Sequence, residues 1–134
     1  MQVRLALLAD AANVSREGKL NILGVFDTVF SAQYPTVHPQ MQLVLRFTAT
    51  APEAGTTHAV DVRFEGEDGQ ALFRVPVTIA VPTHALGDTL GVDHIIALHN
   101  VRLAAPGRYV FRVGIDGVDA LVVPLRAEQV VVRH

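Results

Sequence analysis

Apolar and polar side chains alternate with a period of two through most of this chain. In MQLVLRFTAT, residues 41–50, Met41, Leu43, Leu45, Phe47 and Ala49 fall on one face, while Gln42, Val44, Arg46, Thr48 and Thr50 fall on the other. That is the pattern of a half-buried strand. AVDVRFE sets Val60, Val62 and Phe64 against Asp61, Arg63 and Glu65. ALFRVPVTIAV aligns Phe73, Val75, Val77, Ile79 and Val81, and YVFRVGID aligns Tyr109, Phe111, Val113 and Ile115. No stretch carries the i, i+3, i+4, i+7 stripe of an amphipathic helix. Strands are predicted over residues 2–9, 19–30, 41–50, 57–65, 70–81, 92–103, 108–116 and 118–126, with 128–133 as a ninth candidate.

Turn signals stand between these runs: APEAGT (51–56), GEDG (66–69), the longer PTHALGD (82–88), AAPG (104–107) and the tight IDG (115–117), where Asp116 and Gly117 tolerate positive φ. Their spacing is that of a sandwich. The expected fold is all-β, an antiparallel two-sheet β-sandwich of the immunoglobulin-like or fibronectin-like kind with about eight strands, forming one domain over residues 1–134.

Four polar side chains interrupt the apolar stretch ADAANVSREGKLNILGVFD, residues 9–27: Asp10, Asn13, Asn21 and Asp27. Residues 10–18 are expected to reverse the chain, with Asp10, Asn13 and Ser15 bonding local backbone and Gly18 in the left-handed region. Asn21 alternates with Leu20 and Ile22 and so faces out. Gly24 inside a strand signals a bulge or a close approach of backbone. These polar residues are read as punctuation of the fold.

Composition narrows the function classes. The 134 residues carry a net charge of −2, and ten arginines and one lysine are dispersed along the sequence among thirteen acids. That dispersal leaves no basic stripe, so neither nucleic acid nor an anionic membrane is expected as a partner. Without cysteine there is no disulfide framework and no thiolate metal site. At the N-terminus the apolar run LALLA falls short of the ~7–15 residues of a signal-peptide core. No run approaches the ~20 apolar residues of a membrane span. A cytoplasmic protein is expected.

LALLAD (5–10), AN-V (12–14), GKLNILGVFD (18–27), VHPQM (37–41) and PGRYVF (106–111) resemble the signature of an uncharacterised family of short bacterial all-β proteins, a domain of unknown function. The resemblance runs nearly end to end. It implies a bacterial, single-domain, non-exported protein and assigns no site. Locally, Leu103-Ala-Ala-Pro106-Gly107-Arg-Tyr109 is similar to the L-x-x-P-G-x-Y segment of fibronectin type III and other immunoglobulin-like domains. In those domains the tyrosine corner hydroxyl bonds upstream backbone. Leu103, Pro106, Gly107 and Tyr109, with the turn glycines Gly18 and Gly117, are therefore the expected structural residues.

Reactive constellations are not legible. Ser15 and Ser31, the two serines, stand in no G-x-S-x-G elbow, and Thr, His and Asp occur at no recognised spacing. His94 and His99 lie five apart in one strand and diverge unless a bulge near His99 intervenes, and His58 and Asp61 also diverge. His38 precedes Pro39 in what reads as a loop. The acids Glu65, Glu67, Asp68, Asp116 and Asp119 cluster near hairpin ends without the D-x-D-x-D-G grammar of a calcium loop. No catalytic, cofactor-binding or metal-binding residue is assigned, and no cofactor is expected. The chain reads as a non-catalytic protein-interaction or self-assembly module rather than an enzyme. The alternative is a small-ligand, carbohydrate or calcium-binding sandwich with its site at the loop ends. Its mean hydropathy of +0.33 is high for a small sandwich, which suggests a surface covered by a protein partner or a second copy. Val130, Val131 and Val132 put valine on both faces of a terminal strand, so they are the expected homo-oligomer interface, while Pro76 and Pro124 blunt other edges.

Overall fold

The computed structural model of the protein describes residues 1–83 and 89–131. Nine strands are described: β1 (Gln2–Val14), β2 (Leu20–Phe26), β3 (Thr28–Ser31), β4 (Thr36–Thr50), β5 (Thr57–Glu65), β6 (Ala71–Ala80), β7 (Thr89–Leu103), β8 (Gly107–Ile115) and β9 (Val118–Gln129). A single 3-10 turn, Ala51–Glu53, follows β4. One sheet has four strands in the order β2-β1-β4-β7; the other has five, β3-β9-β8-β5-β6. All pairs are antiparallel except β3 with β9, which run parallel, against the expectation of an antiparallel arrangement throughout.

Period-two patterning decides which faces meet. Met41, Leu43, Leu45 and Phe47 from the four-stranded sheet join Val60, Val62, Phe64, Phe111 and Val113 from the five-stranded sheet in one buried cluster. Phe64 is its hub, with its ring centroid 4.6 Å from Phe111, 5.0 Å from Phe73 and 5.4 Å from Tyr109. Offset contacts at these distances add to the area such rings bury.

Four stretches depart from the sequence reading. Residues 10–14, expected in the reversal, continue β1 and pair with β2 as far as Val14 and Leu20. The reversal needs only Ser15 to Lys19: Gly18 N–H donates to Ser15 O at 2.9 Å, and Ser15 N–H to Lys19 O at 2.8 Å. Gly18 has φ of +84° there. Asn13 and Asn21 face each other across the ladder, the amide of Asn21 donating to Asn13 Oδ1 at 3.0 Å.

The single strand expected over 19–30 is two strands in two sheets. The chain leaves the four-stranded sheet after Phe26 and enters the five-stranded sheet at Thr28. Asp27 is the hinge of that crossing: its carbonyl accepts the Arg126 N–H at 2.7 Å, and its carboxylate accepts the Thr28 hydroxyl at 2.9 Å. Residues 36–40, expected as a loop around His38, instead extend β4, pairing with β7 from Thr36 opposite Leu103.

At the C-terminus β9 runs unbroken to Gln129, where residues 118–126 and 128–133 were expected as separate strands. Its last residues pair with β3, and Val130 N–H donates to Ser31 O at 3.0 Å. The start of the segment expected to bind a second copy, from Glu128 to Val130, is thus held by its own chain, so the expected homo-oligomer interface is not retained. Val131 is 84 % exposed beyond this pairing, and Val132 lies outside the described residues. Pro76 sits on the edge strand β6, whereas Pro124 sits in β9 just before the stretch that β3 covers. A residue without an N–H is tolerated at either place.

Candidate interaction groove

Edge strands β6 and β7, from different sheets, each pair on one side only among the described residues. Between them lies a groove of about 460 Å³, lined by Leu72, Phe73 and Val75 of β6, by residues 97–102 of β7, and by Ala104. Small-molecule clefts fall in this size range. Phe73 and Val75 face the core but stay half-buried, because an edge strand has a neighbour on one side only. Leu72 points the other way and is 53 % exposed.

The β7 wall owes its shape to one residue. Ile96 and Leu98 are buried at even positions, whereas Val101 and Leu103 are buried at odd ones. Asn100, with φ of +55°, supplies the shift in parity; it stands opposite Pro39, between the pairs His38 with Val101 and Gln40 with His99. Asn tolerates the left-handed region better than most side chains. The outcome is that His99, Asn100 and Arg102 are all exposed along the groove. Arg102 has no ion-pair partner within 4.0 Å among the described residues. An adjoining groove of about 320 Å³ shares Leu72 and Ala104 and leads to Glu67 and Asp68. Both acids are engaged there, Glu67 by Arg108 N–H at 3.0 Å and Asp68 by Gln70 N–H at 3.0 Å.

The expected structural residues lie at one end of this path. Leu103 is fully buried, Pro106 and Gly107 make the turn into β8, and Gly107 has φ of +152°. The Tyr109 hydroxyl donates to Ala105 O at 2.6 Å. Gly117, with φ of +83°, turns the β8–β9 hairpin.

Among the histidines, His94 shares the inward parity of Ile96 and Leu98, and burial pulls its imidazole below the usual range; His99 takes the opposite face. A second constellation was invisible as spacing. His58 Nδ1 lies 2.6 Å from Asp116 Oδ2, and its Nε2 lies 3.0 Å from Thr56 Oγ1. The threonine hydroxyl donates to Glu53 O at 2.6 Å, which directs its proton away from the imidazole. Asp116 also accepts the Ala59 N–H at 3.0 Å. The His58 bond, then the Ala59 N–H, hold the Asp116 carboxyl below its ordinary range. Glu53 completes the group. A bond from the Met1 ammonium at 2.6 Å and one from Thr50 N–H at 3.0 Å are the main reasons its carboxyl falls to about 2. Together these contacts tie the start of β5 to the β8–β9 hairpin and the N-terminus. Among the described residues no group of three or more His, Asp or Glu side chains is arranged to hold a metal ion.

Charge is distributed differently in space than along the chain. Arg74, Arg63 and Arg112 stand side by side in register across β6, β5 and β8, and Arg108 opposes Arg126 across β8 and β9. Arg108 and Arg112, four apart on one strand, share a face. Five of the ten arginines therefore lie on the outer face of the five-stranded sheet. Asp61, Glu65, Asp119 and Glu128 pair with four of them.

No curated protein matches the sequence. A solved structure with a TM-score of 0.48 and 17 % identity is that of the Pseudomonas fluorescens alkylpurine DNA glycosylase AlkC bound to DNA containing an abasic site analog. The match covers 76 % of this chain and 27 % of that one, and at that level it transfers no activity. The expectation of no nucleic-acid partner is not retained: it rested on arginines dispersed in sequence, and the fold gathers five of them on one face. The expected homo-oligomer is not retained either, since Glu128 and Gln129 pair with β3 and Val130 N–H bonds Ser31 O within the chain. No helix among the described residues is long and apolar enough to cross a membrane. A family model of unknown function, DUF6941, matches residues 4–128, and the chain belongs to that family.

Proposed function

We propose that this protein is a non-catalytic interaction module that receives an extended segment of another protein in the groove between β6 and β7, on an immunoglobulin-like β-sandwich. The groove carries this reading: among the described residues its two walls are sheet edges with main chain unpaired on one side, its lining is mainly apolar, and Leu72 is exposed on its rim. Open edges accept an added strand through main-chain bonds, and adjacent pockets select alternate side chains. The sandwich reading draws support from the shared core cluster of the two sheets and from the Tyr109 bond to Ala105.

Selection from displayed random peptides on the wild-type protein and on Leu72→Asp tests the docking reading. Enriched peptides should bind the wild type and lose about tenfold or more in affinity on the variant, the cost of setting a carboxylate against apolar contacts. Thermal melts should match, since Leu72 is outside the core. Failure to enrich any sequence, or equal binding to both proteins, would overturn the reading.

A further inference from the structure

We infer that the segment the groove takes is acidic at alternate positions and apolar between them, added as a strand to the open edge of β7. This rests on the docking reading above and specifies its partner.

A strand added to β7 would alternate its side chains across the two faces of the sheet. On the inner side they meet Leu98 from β7 and Phe73 and Val75 from β6, which asks for apolar residues. On the outer side they meet His99 and Arg102. The parity shift at Asn100 is what turns Arg102 outward; in a regular strand it would share the inner face with Ile96 and Leu98. The main groove has no carboxylate among its described lining residues. Arg102 has no ion-pair partner among the described residues. Glu67 and Asp68 stand beyond Leu72 in the adjoining groove and are already bonded to backbone N–H groups. A carboxylate beside Arg102 finds a guanidinium fork with no competing acid, and cross-strand pairs of opposite charge are favourable. A basic segment would set like charges side by side.

The test titrates the isotope-labelled full chain with three capped hexapeptides, (Val-Glu)3, (Val-Ser)3 and (Val-Lys)3, followed by amide chemical shifts. Shifts are expected at Leu72, Val75, Ala97 and Leu98, with the glutamate peptide binding roughly two- to fivefold tighter than the serine peptide and the lysine peptide weakest. Arg102→Gln should erase the glutamate preference while leaving the serine peptide bound, and Arg102→Glu should invert it toward lysine. Equal binding of glutamate and serine peptides, or a glutamate preference that persists in both variants, overturns the acidic assignment and leaves the groove reading in place. Failure of all three peptides to move any groove amide overturns both.

Discussion

The Asp10 carboxylate lies over the backbone of Gly24, its partner across the β1–β2 ladder between the pairs Ala9 with Val25 and Ala11 with Leu23. Gly24 has φ of +73°, and a Cβ there would stand 2.9 Å from Asp10 Cγ. Two penalties therefore meet at one position, left-handed backbone and a blocked side chain. Gly24→Ala should cost about 1–3 kcal/mol. In an Asp10→Ala background part of that cost should vanish, because the obstructing carboxylate is gone. Urea midpoints of the four proteins of this cycle measure the coupling; strict additivity would mean the close approach carries no energy.

Tyr109→Phe removes the hydroxyl that bonds Ala105 O and leaves the ring stacked on Phe64. A loss of about 1–2 kcal/mol is expected for a partly buried bond of this kind. An unchanged denaturation midpoint would show that the turn from Leu103 to Gly107 holds without it.

Acid should loosen the junction around Glu53. Its carboxyl titrates near 2 instead of the ordinary 4.5, chiefly through the bond from the Met1 ammonium. A carboxyl depressed on folding contributes stability that is fully present above its unfolded value and is lost as pH falls through its folded one. The loss from this group should begin below about pH 4.5 and finish near pH 2. Asp116, lowered by His58 and by Ala59 N–H, acts in the same direction. Urea midpoints measured against pH should fall less steeply over this window in Glu53→Gln than in the wild type. Parallel curves would remove Glu53 from the account.

Ending the chain at Ala127 should destabilise it. Besides the ladder at Glu128 and Gln129 and the Arg126–Glu128 contact, three longer-range bonds go: Tyr34 hydroxyl to Glu128 O at 2.7 Å, Gln129 Nε2 to Ala32 O at 3.2 Å, and Val130 N–H to Ser31 O at 3.0 Å. At ~0.5–1.5 kcal/mol each, these three alone account for a loss of about 1.5–4.5 kcal/mol, seen as a lower melting temperature. A truncated protein as stable as the full chain would mean β3 needs no more of β9 than Arg126 and Ala127.

Strand content was legible in the sequence because a face that meets a core must alternate with one that does not. Met41 to Ala49, Val60 to Phe64 and Tyr109 to Val113 keep their predicted faces for that reason. Turns with glycine at positive φ, such as Gly18 and Gly117, were legible too, since their backbone demand is local. The family signature was also present in linear order. Tertiary structure decided everything that depends on partners distant in sequence. It split residues 19–30 between two sheets at Asp27, which local propensity cannot anticipate because both halves are good strands. It brought Thr56, His58 and Asp116 together across 60 residues of chain. It assembled five dispersed arginines into register on one face. The groove lies between these cases. The parity change from Leu98 to Val101 is written in the sequence, as is an apolar Leu72 on the polar face of its strand, but that the two strands carrying them are edges facing each other follows only from the order of strands in the sheets. Sheet order is set by non-local pairing and loop closure, and no alternation along a single strand encodes it.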